Sequence, residues 1–326
     1  MLPHPFRDSI SGLNFSRADD CRNVLLLDKH TRVEGLCSEA VFMEDIVEGN
    51  LFPVASDFWF SLAESQGYDV TKIMTTSDKS LNDLDYLLLD MFAETADVDK
   101  IKIVYFDEFF NNFWSFPYKM GMRDEELDLA GRIWGLPGKG VMAEERNRDR
   151  ERILKASDFL KERGLLKDAA IKRIFANCVL CKNAIWDVDA FTMTGLTPIA
   201  LEVKQKYPTK KGSFGLNDGQ ADLFGFLTGM GIPVIHVVLR KPEEDASLHS
   251  IDLLTLPEYT ERTEWLFTRF FPENLRPASF AAPDYTSIYG DAGINYSHIP
   301  LANFRALKKL REPLADLRKA LLKGLE

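Results

Sequence analysis

The stretch Pro198-Ile199-Ala200-Leu201-Glu202-Val203-Lys204 decides the predicted fold of this chain of 326 residues. Its apolar side chains at 199, 201 and 203 alternate with Glu202 and Lys204, a pattern typical of a strand with one buried face. A second strand-like run covers residues 184–194, and Gly195-Leu196 joins the two runs as a short turn. The sequence therefore predicts a β-hairpin with acidic and basic side chains.

The pairing of this hairpin decides which side chains meet. If a two-residue turn joins the strands, Asp189 lies opposite Glu202. Asp187 then lies opposite Lys204 on the same face, because side chains alternate along a strand. Directly opposed residues have Cβ atoms about 5 Å apart, a separation at which two carboxylates can share one metal ion. We therefore predict Asp189 and Glu202 as metal ligands, with Asp187 as a further candidate.

Carboxylates beside a lysine suit the hydrolysis of a phosphodiester. Mg²⁺ prefers hard oxygen ligands, keeps several waters and binds phosphate oxygens alongside one or two carboxylates. A bound metal lowers the pKa of its water and offsets charge in the transition state. We expect Lys204 to orient the attacking water and the backbone carbonyl of Val203 to be a further ligand. Mg²⁺, or Mn²⁺ in its place, is the predicted cofactor.

The sequence predicts that the chain divides into three regions. Residues 1–138 alternate strand-like and helix-like runs, which is typical of a small α/β domain, and its role is unknown. Residues 139–245 contain the hairpin and form the predicted core. Residues 246–326 form a mostly helical extension, with a helix at 258–271 and leucines at helical spacing from 301 onward.

Hydrophobic spacing also predicts the individual elements. In the first region we expect strands at 23–28, 70–75 and 102–106, and a helix at 84–96. The core is expected to follow the order helix, three strands, helix, strand. Its elements are a charged helix at 141–163, strands at 171–180, 184–194 and 198–206, a helix at 217–230 capped by Asn217 or Asp218, and a buried strand at 233–239. The first half of the run 171–180 fits a helix nearly as well.

One set of residues resembles a known family. Asp189, then Glu202-Val203-Lys204 after twelve intervening residues, then Gln220 on the next helix, resembles the PD-(D/E)XK nuclease superfamily. That superfamily includes restriction endonucleases and Holliday-junction resolvases, and its core has the order predicted here. The resemblance implies a restriction-endonuclease-like core in which Asp189 and Glu202 bind the metal. It also implies that Lys204 is catalytic and that Gln220 supports the site.

Two further positions bear on the resemblance. Members often have an acidic residue on the preceding helix, and Glu145 or Glu144 would be that metal ligand here. Val188 precedes Asp189 where the family's name has a proline, but that proline has no catalytic role. Because the motif is short, the prediction depends on its combination with the hairpin, Gln220 and the closing strand.

The composition describes an ordinary soluble globular protein, with 45% hydrophobic and 28% charged residues. No apolar run approaches the roughly 20 residues that span a bilayer, and the N-terminus does not resemble a signal peptide. Four cysteines argue against a disulfide framework, so a cytoplasmic protein without membrane association is expected. The net charge of −10 argues against general nucleic-acid binding, although Lys204, Lys206, Lys210 and Lys211 lie close together in the sequence.

Three other patterns carry less weight. Cys178-Val179-Leu180-Cys181 has the spacing of half a zinc site, but Cys21 and Cys37 are spaced too irregularly to complete it, so buried structural cysteines are expected. The run 103–108 resembles a Walker B strand, but the sequence contains no G-x-x-x-x-G-K-[ST] motif to hold a triphosphate. His236 lies within an apolar run and is expected to be a core residue.

Together these features predict a Mg-dependent endonuclease that hydrolyses phosphodiester bonds, with DNA favoured over RNA. A homodimer is the simplest arrangement for cutting both strands of a duplex. The alternative is a catalytically inactive nuclease-like module that binds nucleic acid or a partner protein.

Overall fold

Two groups of strands organise the protein, each with its own helices. The computed structural model describes residues 13–48, 53–75, 80–108, 112–123, 148–180, 185–209, 212–241, 248–280, 294–310 and 319. The chain is mixed α/β and divides into two compact units, Met1–Cys37 with Ala55–Ala190 and Ser38–Val54 with Phe191–Glu326. The predicted boundaries near 138 and 245 both lie outside the described residues. None of the helices in the described ranges is both long and apolar enough to span a membrane.

The first unit is built around a five-stranded sheet. In chain order, the elements up to residue 188 are α1 (Ala18–Leu25), α2 (His30–Glu48), β1 (Val54–Ala55), β2 (Phe58–Leu62), β3 (Tyr68–Met74), α3 (Asp83–Ala93), β4 (Val98–Asp107), β5 (Asn112–Pro117), α4 (Arg150–Glu162), α5 (Leu166–Ile174), a π-helix (Phe175–Leu180) and β6 (Ile185–Val188). The strand order is β5-β4-β3-β2-β6, and only the pair β3 and β4 is parallel. The later part of α2 belongs to the second unit.

Aromatic side chains fill both faces of this sheet. Phe92 of α3 packs against Phe58 and Phe60, with ring centroids 5.9 and 5.5 Å apart. On the opposite face, Phe175 of the π-helix packs against Trp59, with centroids 6.4 Å apart. Side chains alternate along β2, so its successive aromatic residues face both sides of the sheet, and helices on both sides bury them.

The second unit contains the turn and the second strand of the predicted hairpin. Its elements are β7 (Ala190–Thr194), β8 (Thr197–Lys206), β9 (Ser213–Asn217), α6 (Asp218–Gly229), β10 (Val234–Arg240), α7 (Asp252–Thr255), α8 (Pro257–Thr260), β11 (Glu264–Arg269), a 3-10 helix (Pro272–Asn274), β12 (Arg276–Phe280), β13 (Ile294–Pro300), a second 3-10 helix (Leu301–Asn303) and β14 (Arg305–Lys309). Together with β1, these strands form a six-stranded sheet, β1-β7-β8-β10-β11-β14, and a three-stranded sheet, β12-β13-β9.

Strand β8 lies in the interior of the six-stranded sheet. It runs parallel to β10, and α6 lies in the connection between them. Residues 198–203 are buried in succession, because both faces of the sheet are covered. On one face, Phe42 of α2 packs against Trp265 of β11, with centroids 5.1 Å apart. On the other face, Phe214 of β9 packs in a cluster with Val238 of β10.

Two predicted strands are helical. Residues 23–28 fall at the end of α1 and beyond it, and residues 171–180 form the end of α5 and the π-helix. Both runs are apolar, and such a run fits a buried helix as well as a buried strand. The helical alternative for the first half of 171–180 is therefore confirmed. The strands at 70–75 and 102–106 and the helix at 84–96 are confirmed as β3, β4 and α3.

The predicted helical extension is wrong in the described part of 248–310. Residues 258–271 contain the end of α8 and the strand β11, and residues 301–310 contain β14. Both strands add to one side of the six-stranded sheet, so pairing and burial override the leucine spacing. The leucines from 314 onward lie outside the described residues. Four strands, β6 to β9, precede α6, where three were predicted. The predicted helix at 217–230 and the predicted strand at 233–239 are confirmed as α6 and β10.

Candidate active site

The hairpin closes with a two-residue turn, as predicted. Strand β7 ends at Thr194 and β8 begins at Thr197, and the hydroxyl of Thr194 donates to the carbonyl of Thr197 at 3.3 Å. Gly195 has a φ of 68°, a left-handed conformation that glycine adopts without steric cost and that type II′ turns require at this position. The turn therefore fixes where β8 starts.

The carboxylate of Glu202 is buried in β8, with 1% of the residue exposed. Its Oε1 accepts a hydrogen bond from Nε2 of Gln220 and lies 2.5 Å from Nζ of Lys204. The ammonium group and the amide offset the free-energy cost of removing a carboxylate from water. Three residues predicted from the sequence thus meet at one oxygen atom, and we refer to Glu202, Lys204 and Gln220 as the Glu202 cluster.

Lys204 connects this buried acid to solvent. Its side chain is 30% exposed, whereas the side chain of Glu202 is 1% exposed. Both side chains lie on one face of β8, since they are two residues apart on a strand. An anion that approaches from solvent would therefore meet the lysine before the glutamate.

Gln220 is held in place by the start of α6. The side chain of Asn217 caps the helix, and its Oδ1 accepts from the backbone N–H of Gln220 at 2.7 Å. Asn217 also ends β9, where it pairs with Tyr296 of β13. The hydroxyl of Ser297 donates to Asp218 at 3.4 Å. The amide of Gln220 is thus positioned by a strand that lies far along the chain.

His236 lies beside the cluster within the sheet. It is the partner of Glu202 in the parallel pair of β10 and β8, and it is fully buried, as predicted. Its ring is 6.2 Å from that of Phe224 and 6.0 Å from that of Phe304. Burial, followed by the charges of Lys206 and Lys204, lowers the pKa of His236 well below its ordinary value. The imidazole is therefore neutral at pH 7.

Lys206 is a charged neighbour of the cluster that sequence reasoning did not include in the site. Its Nζ donates to the carbonyl oxygen of Gly215 on β9. Burial, and then the charge of Lys204, lowers its pKa to about 8, while Glu202 acts in the opposite direction. The sequence could have indicated this residue, because Lys206 follows Lys204 by two residues, and side chains two residues apart on a strand share a face.

The two predicted aspartates lie in the first unit. Asp187 belongs to β6 and pairs with Trp59 of β2, so the prediction that it lies opposite Lys204 is wrong. The chain bends at Asp189, and β6 and β7 consequently join different sheets. The apolar pattern over 184–194 predicts one continuous strand, and it contains no signal for a bend at a single residue. The pairing of Asp189 with Glu202 stays a prediction.

The remaining predicted ligands are the backbone carbonyl of Val203 and a carboxylate of Glu144 or Glu145. The side chain of Val203 is buried on the face opposite to Glu202, since the two residues are adjacent on β8. A role for its backbone carbonyl as a ligand stays a prediction. Glu144 and Glu145 lie outside the described residues.

Glu202 supplies the kind of oxygen donor that the predicted ion prefers. Mg²⁺ takes one or two carboxylates and keeps several of its waters, and Glu202 with the predicted ligands Asp189 and Val203 would be a set of that kind. In the part of the chain that the structure describes, no three or more His, Cys, Asp or Glu side chains converge as a metal site. Metal binding by Glu202 stays a prediction.

No protein-family model, curated protein or solved structure matches this chain. The interpretation of the site accordingly depends on the contacts of the Glu202 cluster and on the chemistry that those groups can perform.

Proposed function

We propose that the protein is a metal-dependent nuclease that hydrolyses phosphodiester bonds, with DNA favoured over RNA. The observation that carries this proposal is the Glu202 cluster, in which a lysine two residues along the strand and an amide from the next helix converge on a buried carboxylate. Buried ion pairs contribute little net stability compared with apolar side chains of similar volume. A buried charge with a partly exposed lysine therefore supports a functional interpretation.

Each member of the cluster has a role in this proposal. Glu202 holds negative charge at the base of the site. Lys204, whose side chain is 30% exposed, orients the attacking water and offsets the charge of the phosphate. Gln220 fixes the side-chain conformation of Glu202 by donating to Oε1.

Mg²⁺ or Mn²⁺, bound by Glu202 together with Asp189 and the carbonyl of Val203, would supply positive charge at the phosphate and a water of lowered pKa. Asp189 and Val203 enter the proposal from the sequence pattern alone. The resemblance to the PD-(D/E)XK nucleases, which is carried by Asp189, Glu202-Val203-Lys204 and Gln220, supports the same assignment.

A cleavage assay tests the proposal. Supercoiled plasmid, single-stranded DNA and RNA are incubated with the protein in Mg²⁺, in Mn²⁺ and in EDTA. Glu202→Gln and Lys204→Met are each expected to lower the cleavage rate by at least about 100-fold, because each removes a charge from the reacting centre. Glu258→Gln changes an exposed carboxylate on α8 and is the matched control, with an unchanged rate expected.

The variants separate the two candidate functions. Cleavage that survives in both Glu202→Gln and Lys204→Met would contradict the proposal. Binding of DNA without cleavage in either metal would favour the alternative, a nuclease-like module that binds without cutting. Asp189→Asn completes the series, because loss of metal-dependent cleavage in this variant would support a second carboxylate ligand.

A further inference from the structure

Lys206 extends the line of charged side chains beyond the Glu202 cluster. It is the last residue of β8, two residues after Lys204, so the two side chains share a face of the sheet. Two residues along a strand cover about 7 Å, a spacing comparable with that of successive phosphates in an extended nucleic-acid strand. Glu202, Lys204 and Lys206 therefore form a row that leads from the buried acid to the end of the strand.

The contacts of Lys206 leave it with hydrogen-bonding capacity. Its Nζ donates to the carbonyl oxygen of Gly215, which is a neutral acceptor. An ammonium group has three donors, and this hydrogen bond uses one. Arg240, the partner of Lys206 on β10, is itself paired with Glu264, with Nη1 and Oε1 3.2 Å apart. The charge of Arg240 is therefore offset by a carboxylate, whereas the acceptor of Lys206 is a neutral carbonyl.

The electrostatics of Lys206 favour an anion beside it. Burial and the charge of Lys204 both act against the protonated form, and they lower the pKa to about 8. A cation that has lost hydration and faces a second cation is stabilised when an anion comes close to it. Phosphate groups of a nucleic-acid backbone are such anions, and lysine is a common partner for them.

We propose that Lys206 binds the backbone phosphate next to the one that reacts at the Glu202 cluster. This inference rests on the proposed nuclease function, and it names the substrate class as a polynucleotide with at least two neighbouring phosphates. A small ester with a single phosphate would reach Lys204 and make no contact with Lys206. Lys206 is thus a substrate-binding residue outside the bond-breaking group.

The chain offers a matched control on the opposite face. Lys241 follows Arg240, so it faces away from Lys206. Its Nζ lies 4.9 Å from the centre of the Tyr207 ring and donates to the hydroxyl of Ser250. Lys241→Gln therefore removes the same charge from the same end of the sheet without altering the row.

Two substrates distinguish phosphate binding from a general loss of activity. The value of kcat/KM is measured on an oligonucleotide and on bis(4-nitrophenyl) phosphate, which has one phosphodiester. Lys206→Gln is expected to lower kcat/KM at least about tenfold on the oligonucleotide, through KM, and to change the small ester by less than about twofold. Lys206→Arg keeps the charge and should retain most of the activity, and Lys241→Gln should match the wild type.

A binding measurement in EDTA gives a second readout that does not depend on cleavage. The affinity for a fluorescent single-stranded oligonucleotide is measured by anisotropy over a range of salt concentrations. Loss of one phosphate contact should reduce the slope of log affinity against log salt by about 0.7 in Lys206→Gln. The slope of Lys241→Gln should be unchanged.

The outcomes separate this inference from the proposed function. If Lys206→Gln affects both substrates equally, or neither, and the salt slope is unchanged, the phosphate site is refuted. If Glu202→Gln cleaves as well as the wild type, the nuclease proposal fails instead, and the salt slope alone then decides whether Lys206 binds phosphate.

Discussion

Replacing Lys204 and replacing Glu202 should destabilise the protein by different amounts. Lys204→Met leaves a carboxylate that is 1% exposed with the amide of Gln220 beside it. Glu202→Gln leaves a lysine whose side chain is 30% exposed and can turn its ammonium group into water. A stranded buried charge is costly, whereas a stranded surface charge is not. Lys204→Met should therefore be the more destabilising change.

The structure sets the size of this difference. Breaking a buried ion pair by removing one partner costs about 3–5 kcal/mol, and a hydrogen bond to a charged group contributes about 1.5–3 kcal/mol. Because the Lys204 side chain is 30% exposed, the ion pair is only partly buried, and we expect a cost of about 2–3 kcal/mol for Lys204→Met, between the lower limits of the two ranges. Glu202→Gln should cost about 1 kcal/mol, since the glutamine keeps an acceptor for Gln220. The double variant should resemble Glu202→Gln.

The assay is urea unfolding in EDTA and then in Mg²⁺, with hydrogen exchange of the β8 amides as a local readout. A ligand at ten times its dissociation constant stabilises the folded state by about 1.4 kcal/mol. Mg²⁺ should therefore stabilise the wild type and Lys204→Met, but leave Glu202→Gln unchanged. Greater destabilisation by Glu202→Gln than by Lys204→Met, or equal protection of all variants by Mg²⁺, would refute the reasoning.

Three further predictions concern buried charges and a buried imidazole. Burial alone would raise the pKa of Asp28, but the charges of Arg173 and Arg32, with the hydrogen bonds from Arg173 and the backbone N–H of Lys29, together lower it. Asp28→Asn should therefore reduce the urea midpoint at pH 7, and the deficit should shrink as the pH falls below about 4. Lys72 and Asp85 form an ion pair with Nζ and Oδ1 2.6 Å apart, and both side chains are less than one tenth exposed. Lys72→Met should lower the free energy of unfolding, measured by chemical denaturation, by about 3 kcal/mol. Adding Asp85→Asn should restore part of that loss, because it removes the unpaired buried charge. Burial lowers the folded-state pKa of His236, so only the unfolded state gains a proton just below pH 6.5. The free energy of unfolding of the wild type should therefore fall by up to about 1.4 kcal/mol for each pH unit below that point. Denaturation at pH 7.5 and 5.5 should show a smaller fall for His236→Phe.

The parts of the site that the sequence predicts are local ones. Alternation along β8 placed Glu202 and Lys204 on one face, and Gly195 marked the two-residue turn before them. The cap at Asn217 marked the start of the helix that positions Gln220. Each of these signals acts over a few residues, so a pattern in the sequence is enough to detect it.

The parts that the sequence does not predict depend on partners far along the chain. The contact of Lys206 with Gly215 needs β9 to lie over the sheet, and β9 is held by β13. Asp187 follows the alternation of a strand, but that strand pairs with β2 in another sheet. Strand pairing is decided by burial and by long-range contacts, and an apolar pattern alone does not specify the partner.

The pairing of β13 with β9 has a consequence for how the protein is made. Residues 294–300 support the end of β9, and with it the cap that places Gln220 against Glu202. Synthesis proceeds from the N-terminus, so a ribosome produces all three groups of the cluster well before it produces β13. The emerging chain then contains the three side chains without their arrangement. The Glu202 cluster therefore gains its support from β13 only after residues 294–300 have been translated.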